Sequence, residues 1–134
     1  MNRVVLVTGG FDPLHSGHIA YFKAARKLGD SLVVGVNSDE WLKNKKGKPF
    51  MPFNERANII SELACVDDVI SFDDSDNTAC GAIHKLQNTS APGTTIIFAN
   101  GGDRTDKNIP EMKTYGADPR VDFVFGVGGS DKKN

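Results

Sequence analysis

An apolar run that leads directly into a glycine-rich segment with two histidines limits this chain to few folds. Residues 4–7 read Val-Val-Leu-Val, and residues 9–18 read Gly-Gly-Phe-Asp-Pro-Leu-His-Ser-Gly-His. An apolar run without alternation is typical of a strand buried on both faces of a parallel sheet. Glycines allow the tight turn that follows, and beyond the turn apolar residues recur with the spacing of a helix. We predict a strand, a turn and a helix, with Ser16 as N-cap, His15 just before the helix and His18 in its first turn.

Strand-like and helix-like segments alternate along the rest of the chain. Strands are predicted over residues 4–8, 31–37, 69–72, 94–99 and 121–127. Helices are predicted over residues 17–28, 55–65, 78–87 and 110–115, with a short turn at 39–42 and a lysine-rich loop at 43–53. This alternation implies right-handed crossovers and a mostly parallel sheet. The expected fold class is α/β: a Rossmann-like three-layer αβα sandwich around a five-stranded sheet, in one domain over residues 1–134.

The loops expected at one edge of this sheet are rich in polar residues. In parallel α/β sheets, ligands bind beyond the carboxyl ends of the strands. The loops at that edge contain residues 9–18, residues 37–39 and residues 100–103. The topology therefore predicts that three polar loops converge on one binding site.

The two histidines suit the binding of a phosphate chain. The first N–H groups of a helix have no partner within it and carry the positive end of the helix dipole. An anion bound there would also receive hydrogen bonds from the imidazoles of His15 and His18. This arrangement favours reactions in which negative charge grows on phosphate oxygens, such as nucleotidyl transfer with loss of pyrophosphate.

Composition and charge exclude several other kinds of partner. The net charge of −1 gives no global attraction for nucleic acid. No apolar stretch approaches the roughly 20 residues that span a bilayer, and the first residues lack a signal-peptide pattern. Cys65 and Cys80 have no metal-binding spacing, so we expect reduced thiols in a cytoplasmic protein.

The sequence also resembles a known family. Residues 9–18 fit the pattern Gly-x-Phe-Asp-x-x-His-x-Gly-His, the signature of the cytidylyltransferase-like nucleotidyltransferases. That group includes glycerol-3-phosphate and choline-phosphate cytidylyltransferases and the heptose-phosphate adenylyltransferases. Further matches at residues 28–39, 54–56, 65–69 and 100–103 extend the resemblance over nearly the whole chain. The chain looks most similar to the heptose-phosphate adenylyltransferase branch.

The resemblance implies roles for particular positions. His15 and His18 would contact the triphosphate and stabilise the transition state, and Lys46 or a neighbouring lysine would hold the acceptor phosphate as a further catalytic group. Asp39 would lie near the acceptor or the ribose, and Arg56 would reach an anionic group of the acceptor or the nucleotide. The implied nucleotide-binding residues are Thr8, Gly9, Gly10, Phe11, Asp12, His15, His18, Gly102 and Asp103. The resemblance also implies Mg²⁺ on the leaving pyrophosphate and a homodimer. No metal site built from protein ligands is expected, because no cysteine or third histidine lies near the histidine pair.

The family's second signature is missing after the last predicted strand. That signature is Arg-Thr-x-Gly-Ile-Ser-Thr or a Ser/Thr-rich variant, whereas residues 128–134 read Gly-Gly-Ser-Asp-Lys-Lys-Asn. The expected function is transfer of AMP or CMP from ATP or CTP to a sugar- or polyol-phosphate. The alternative is a family member that binds nucleotide with little or no turnover because the C-terminal motif is incomplete. A dinucleotide-binding domain is disfavoured, since no Gly-x-Gly-x-x-Gly follows the first strand.

Several of these residues also have simpler interpretations. The histidine pair has the spacing of a surface pair or a metal pair, although no cysteine or third histidine lies nearby. Lys46 and its neighbouring lysines fit a solvated loop, and Arg56 fits an intrahelical ion pair with Glu55 or Glu62. The remaining polar and aromatic candidates are a solvated acidic turn (Asp73, Asp74 and Asp76), His84 as a surface or packing residue, and Trp41 as a packing or base-stacking side chain. The sequence leaves the base and the acceptor open.

Overall fold

The computed structural model describes residues 2–101 and 109–128 of the 134-residue chain. The strands are β1 (Arg3–Gly9), β2 (Ser31–Val36), β3 (Asp68–Ser71), β4 (Thr95–Ala99) and β5 (Val121–Val124). The helices are α1 (Ser16–Arg26), α2 (Asp39–Lys46), α3 (Phe53–Ser61), α4 (Cys80–Thr89) and α5 (Glu111–Tyr115). Strands and helices alternate in the order that the apolar pattern predicted, apart from the two consecutive helices α2 and α3.

The strands form one sheet in the order β3-β2-β1-β4-β5. The central strand β1 pairs with β2 from Val4 opposite Ser31, and with β4 from Arg3 opposite Thr95. All four pairings are parallel, so the sheet is wholly rather than mostly parallel. After β1 the chain adds β2 and β3 on one side, and it then returns to add β4 and β5 on the other side of β1. The topological switch point therefore lies between β1 and β4, where ligands of such sheets bind.

Helices cover both faces of the sheet and close two hydrophobic clusters. On one face, α1 and α3 contribute the buried side chains of Phe22 and Ile60. On the other face, α4 contributes Ile83 and Leu86. Residues 4–7 of β1 alternate between the two clusters, because successive side chains of a strand point to opposite faces. Each such side chain stabilises the fold by about 1.5–3 kcal/mol when fully buried, and the three-layer αβα prediction is confirmed.

The helix α2 is longer than the sequence indicated. It continues to Lys46, so the first residues of the expected lysine-rich loop are helical. Ser38 caps its N-terminus by accepting a hydrogen bond from the Trp41 N–H, and Gly47 ends it with a φ of 92°. The cap and the high helix propensity of the lysines outweigh the loop signal that begins with Gly47. The extra turn brings Lys46 towards the loop after β1.

Two further expectations concern the surroundings of the protein. Cys65 and Cys80 are both free thiols, as their spacing predicted. Within residues 2–101 and 109–128, no helix combines the length and the hydropathy that crossing a bilayer requires.

Candidate active site

The turn after β1 is packed too closely to admit side chains at its two glycines. A Cβ atom at Gly9 would lie 2.9 Å from the ring of Phe11, and one at Gly10 would lie 2.8 Å from Leu42 Cδ2. Phe11 itself has a φ of 52°, a left-handed conformation that costs a non-glycine residue about 1–3 kcal/mol. Its buried ring meets the edge of His18 at a centroid distance of 5.1 Å. Close packing therefore requires the glycines, and the strained residue is the phenylalanine between them and the helix.

His15 and His18 cap the helix α1 together. The N-cap is His15 rather than the expected Ser16, and its Nδ1 accepts the Gly17 N–H at 3.1 Å. The Nδ1 of His18 accepts the His15 N–H at 3.2 Å. Since each Nδ1 is an acceptor, each neutral ring carries its proton on Nε2. The rings stack with centroids 3.8 Å apart and planes inclined by 24°, so the helix N-terminus presents two neighbouring Nε2–H donors.

The electrostatic surroundings keep His18 neutral. Burial and the neighbouring His15 lower the pKa of His18 from 6.5 to about 4. A neutral ring preserves the Nδ1 acceptor that the cap needs, whereas a second proton would break that hydrogen bond. His18 is therefore suited to donate a hydrogen bond at neutral pH without first losing or gaining a proton. The two rings lie together at the helix end, as the phosphate-binding interpretation requires.

Asp12 joins the turn after β1 to the segment between α2 and α3. Its carboxylate accepts the N–H groups of Phe50 at 2.5 Å and Met51 at 2.7 Å. The Nζ of Lys46 lies 2.7 Å from the same carboxylate and 2.8 Å from the Asp12 carbonyl oxygen. Burial opposes ionisation, but the bonds from Lys46 and the two backbone N–H groups outweigh it and lower the pKa of Asp12. The Asp12–Lys46 ion pair therefore fixes the position of the Gly9–His18 segment against α2.

Arg56 is enclosed between the loops rather than directed at solvent. The residue is 1% exposed, although it lies on the amphipathic helix α3. Its guanidinium donates to the carbonyl oxygens of Gly10, Asn37 and Met51, each at 2.9 Å, and to Asp39 Oδ1 at 2.6 Å. Its ionic partner is thus Asp39, not Glu55 or Glu62. In this conformation the side chain has no exposed surface with which to meet an acceptor.

Asp39 remains accessible beside that contact. Its side chain is 45% exposed even though one oxygen binds Arg56. An open cavity of about 400 Å³ adjoins it, lined by Asp39, Glu40, Lys43, Gly47, Lys48 and Pro49. Acidic and basic residues therefore both line this space.

The acidic turn after β3 is not wholly solvated, which corrects the sequence-based interpretation. Asp73 and Asp76 are exposed, but Asp74 is only 6% exposed. Asp74 accepts hydrogen bonds from the Asn37 amide at 3.0 Å, and from the Ser38 N–H and hydroxyl at 2.8 Å each. The turn folds inward because these three donors compensate the burial of one carboxylate.

The β4 side of the site is described only in part. Gly102 and Asp103 lie outside the described residues. Just before them, Asn100 is buried, and its N–H and carbonyl pair with Val124 and Val127. β5 ends at Val124, three residues earlier than predicted, because the chain then turns to make the Val127 contact. The remaining predicted nucleotide contact, Thr8, is half-buried near the end of β1, opposite Gly35.

The structure brings most of the predicted site residues to one edge of the sheet. These residues form three bonded sets: Arg56 with Gly10 and Asp39, Lys46 with Asp12, and His15 with His18. The sequence placed Asn37 in one of the polar loops at this edge, but the burial of Asp74 and its bonds to Asn37 and Ser38 were not predicted. His84 is exposed and contacts Asn88, so of its two predicted roles, surface and packing, it has the surface one. Trp41 is half-buried, and Lys45 lies 4.9 Å above its ring.

The parallel sheet and the histidine-capped helix at its switch point define a Rossmann-like α/β protein. The chain belongs to the cytidylyltransferase-like family, whose pattern matches residues 6–122. Over 98% of its length it is 36% identical to the bifunctional protein HldE of Pelobacter propionicus. The match covers 26% of that relative, so the chain spans about a quarter of the length of such curated relatives.

Solved structures support the same fold. The lipopolysaccharide core biosynthesis protein of Thermoplasma volcanium superposes with a TM-score of 0.71 at 30% identity, covering 93% of this chain and 96% of that one. A bifunctional NMN adenylyltransferase/ADP ribose pyrophosphatase from Francisella tularensis superposes with a TM-score of 0.67 over 93% of this chain and 38% of its own. At 15% identity, the second comparison shows a common fold alone.

Proposed function

We propose that this protein is a nucleotidyltransferase that transfers AMP or CMP from ATP or CTP to a sugar- or polyol-phosphate and releases pyrophosphate. The observation that carries this proposal is the stacked histidine pair at the N-terminus of α1, beside the switch point of the sheet. Two Nε2–H donors and a helix N-terminus form a site for a phosphate chain. Membership of the cytidylyltransferase-like family supports the same reaction class.

The proposed reaction is a direct displacement at phosphorus. An oxygen of the acceptor phosphate attacks the α-phosphorus of the nucleoside triphosphate, and the bond to the bridging β-phosphate oxygen breaks. Pyrophosphate leaves with that electron pair, so no proton transfer to the protein is needed. His15 and His18 donate hydrogen bonds to triphosphate oxygens as charge accumulates on them. The turn after β1 contributes nucleotide contacts through Thr8 and through residues 9–12.

On the acceptor side, we assign binding to Lys46 and Asp39. Lys46 is held by Asp12 at the mouth of the site, with its side chain 38% exposed, so an acceptor phosphate can compete for its ammonium group. Asp39 would accept hydroxyl groups of the acceptor. Arg56 acts here through Gly10 and Asp39 as a positioning residue, because its guanidinium is enclosed. Gly102 and Asp103 stay predicted contacts to the base and ribose.

Mg²⁺ is proposed to accompany the nucleotide. Among the described residues, no group of three or more His, Cys, Asp or Glu side chains could hold a metal ion. Asp12 and Asp39 already accept hydrogen bonds from Met51 and Arg56. This donor set fits an ion carried mainly by triphosphate oxygens and water, as Mg²⁺ prefers. When bound, the ion would neutralise charge on the leaving pyrophosphate.

The remaining proposals concern the protein as a whole. Residues 1–134 are proposed to act as one nucleotidyltransferase domain of a cytoplasmic protein that binds neither nucleic acid nor membranes. A homodimer is proposed as well. Light scattering after size-exclusion chromatography checks this state, and a monomer mass at working concentration would contradict it.

The reaction is tested with the four nucleoside triphosphates and Mg²⁺ against glucose 1-phosphate, glycerol 3-phosphate and ribitol 5-phosphate. Pyrophosphate release that requires both one triphosphate and one acceptor is the expected result. A nucleotide at 100 times its Kd would also stabilise the fold by about 2.7 kcal/mol. Stabilisation without pyrophosphate release would support the alternative of a nucleotide-binding member with little turnover. If neither stabilisation by a nucleotide nor pyrophosphate release is observed, both the nucleotidyltransferase function and the nucleotide-binding alternative are contradicted.

A further inference from the structure

A buried carboxylate in the loop after β3 is bonded to the loop after β2. Asp74 Oδ2 accepts the Asn37 amide and the Ser38 N–H, while its Oδ1 accepts the Ser38 hydroxyl. Asp74 and Asn37 are 6% and 7% exposed. The Asn37 bond is buried and the two Ser38 bonds are partly buried, and an unpaired donor or acceptor is costly in such surroundings.

The residue that Asp74 holds is the N-cap of α2. Ser38 Oγ donates to Asp74 and accepts the Trp41 N–H at 3.1 Å, so its hydroxyl is fixed from both sides. The next residue, Asp39, receives the guanidinium of Arg56. Lys46 follows at the other end of the same helix, two turns away. Ser38 therefore fixes one end of α2, while the Asp12–Lys46 ion pair holds the other, and the placement of both proposed acceptor-binding side chains depends on this helix.

We infer that Asp74 is a positioning residue for the acceptor side of the site, acting through Ser38 on α2. This inference rests on the proposed nucleotidyl transfer. Two of the three bonds of Asp74 go to Ser38, and the third goes to the side-chain amide of Asn37, whose backbone N–H also donates to the Gly9 carbonyl oxygen at 2.9 Å. Its loss should therefore change the placement of the acceptor more than the binding of the nucleotide.

The same loop supplies matched controls. Asp73 accepts hydrogen bonds from Ser75, two residues later, and Asp76 accepts them from Thr78. Both carboxylates are exposed and stabilise only the local turn. Asp73→Ala thus removes a carboxylate from the same segment without changing any bond to α2.

The first test follows the single tryptophan of the chain, which lies on α2 and needs no acceptor. The fluorescence of Trp41 and its quenching by acrylamide are compared among the wild type, Asp74→Ala, Asp74→Asn and Asp73→Ala. Asp74→Ala should shift the emission to longer wavelength and increase quenching, and Asp73→Ala should match the wild type. Asp74→Asn retains acceptor capacity and should be intermediate. Wild-type emission and quenching in both Asp74 variants would overturn the inference.

The second test separates acceptor from nucleotide. With the acceptor that supports turnover in the panel above, Asp74→Ala should lower kcat/KM by about tenfold to a hundredfold, the effect of a misplacement near 1 Å. The Kd for ATP or CTP should stay near the wild-type value. Ser38→Ala should cause a similar loss, and the double variant should lose little more than either single variant. Equal effects on acceptor and nucleotide, or additive losses, would overturn the positioning role.

The two tests also distinguish the two proposals from each other. If no acceptor supports turnover in the wild type, the proposed function fails, while the Trp41 measurement still decides whether Asp74 orients α2. If turnover is found and Asp74→Ala lowers only the midpoint of thermal unfolding, the carboxylate has a structural role alone. Asp74→Asn provides the kinetic comparison should Asp74→Ala not fold.

Discussion

His15 and His18 stack with their ring centroids 3.8 Å apart, and each Nδ1 accepts a backbone N–H of the same helix end. Under the proposed function, one arrangement serves two purposes. The Nδ1 atoms cap α1, and the Nε2–H groups are left as donors for an anion. Stability and catalysis at this position can be separated by a side chain that reproduces only one ring nitrogen.

Replacement of His15 by asparagine makes that separation. The asparagine amide is a good N-cap, so His15→Asn should change the free energy of unfolding by less than about 1 kcal/mol. It lacks the Nε2–H donor, so the transition state for pyrophosphate release should lose about 2–4 kcal/mol of stabilisation, and kcat/KM should fall accordingly. His84→Asn on the surface of α4 is the matched control. Wild-type turnover in His15→Asn would refute the donor role.

Stability should fall as the pH is lowered towards the pKa of His18. Burial and the neighbouring His15 lower that pKa to about 4, against 6.5 for the ordinary side chain. Between these values the unfolded chain binds a proton that the folded protein does not. The stability that depends on a neutral His18 is therefore fully present above pH 6.5 and is lost as the pH falls from 6.5 towards 4.

Urea unfolding midpoints measured from about pH 8 down to about pH 5 check this dependence. The wild type should lose stability over that range, and His18→Asn should lose less because it has no titrating ring. Parallel curves for the two proteins would show that His18 is not the group responsible.

Lys46 should matter for the acceptor more than for the nucleotide. Its ammonium group is held at the mouth of the site by Asp12, 2.7 Å away. Lys46→Ala should raise the acceptor KM about tenfold or more, since a hydrogen bond to a charged group contributes about 1.5–3 kcal/mol. Lys45→Ala, one residue earlier and over the Trp41 ring, is the control. Equal changes in acceptor KM and nucleotide Kd would contradict the assignment.

Arg56 should be required for stability in a way that a lysine cannot replace. The guanidinium meets three carbonyl oxygens and the Asp39 carboxylate, whereas an ammonium group has no planar fork. Arg56→Lys should cost about 2–4 kcal/mol in the free energy of unfolding. Arg26→Lys should cost little, because the ion pair of Arg26 with Asp67 is exposed.

A different result would support the sequence-based prediction that Arg56 binds the acceptor. A raised acceptor KM with an unchanged urea midpoint would mean that the guanidinium leaves its enclosed position to bind the acceptor. Chemical denaturation and steady-state kinetics on the same preparation decide between the two roles.

The alternation of apolar segments was sufficient to predict the layers of the fold. Residues 4–7 are apolar without interruption because both faces of β1 are covered, and that pattern is visible in one dimension. The Gly9–His18 motif likewise predicted a histidine pair at a helix end, since its spacing is local. The cap was misassigned to Ser16 because the propensity of serine for this position is generally higher than that of histidine.

Sequence alone therefore determined the order of the elements, the wholly local histidine turn and the edge of the sheet at which polar loops meet. Tertiary structure decided which charged residues are enclosed: Arg56 and Asp74 carry no sequence signal that distinguishes them from exposed neighbours such as Glu55 and Asp73. Apart from the Met51 carbonyl oxygen, the donors and acceptors on which their burial depends lie 17 to 46 residues away along the chain. A charge can leave water only where such partners converge in space, and that convergence exists only once the sheet has formed.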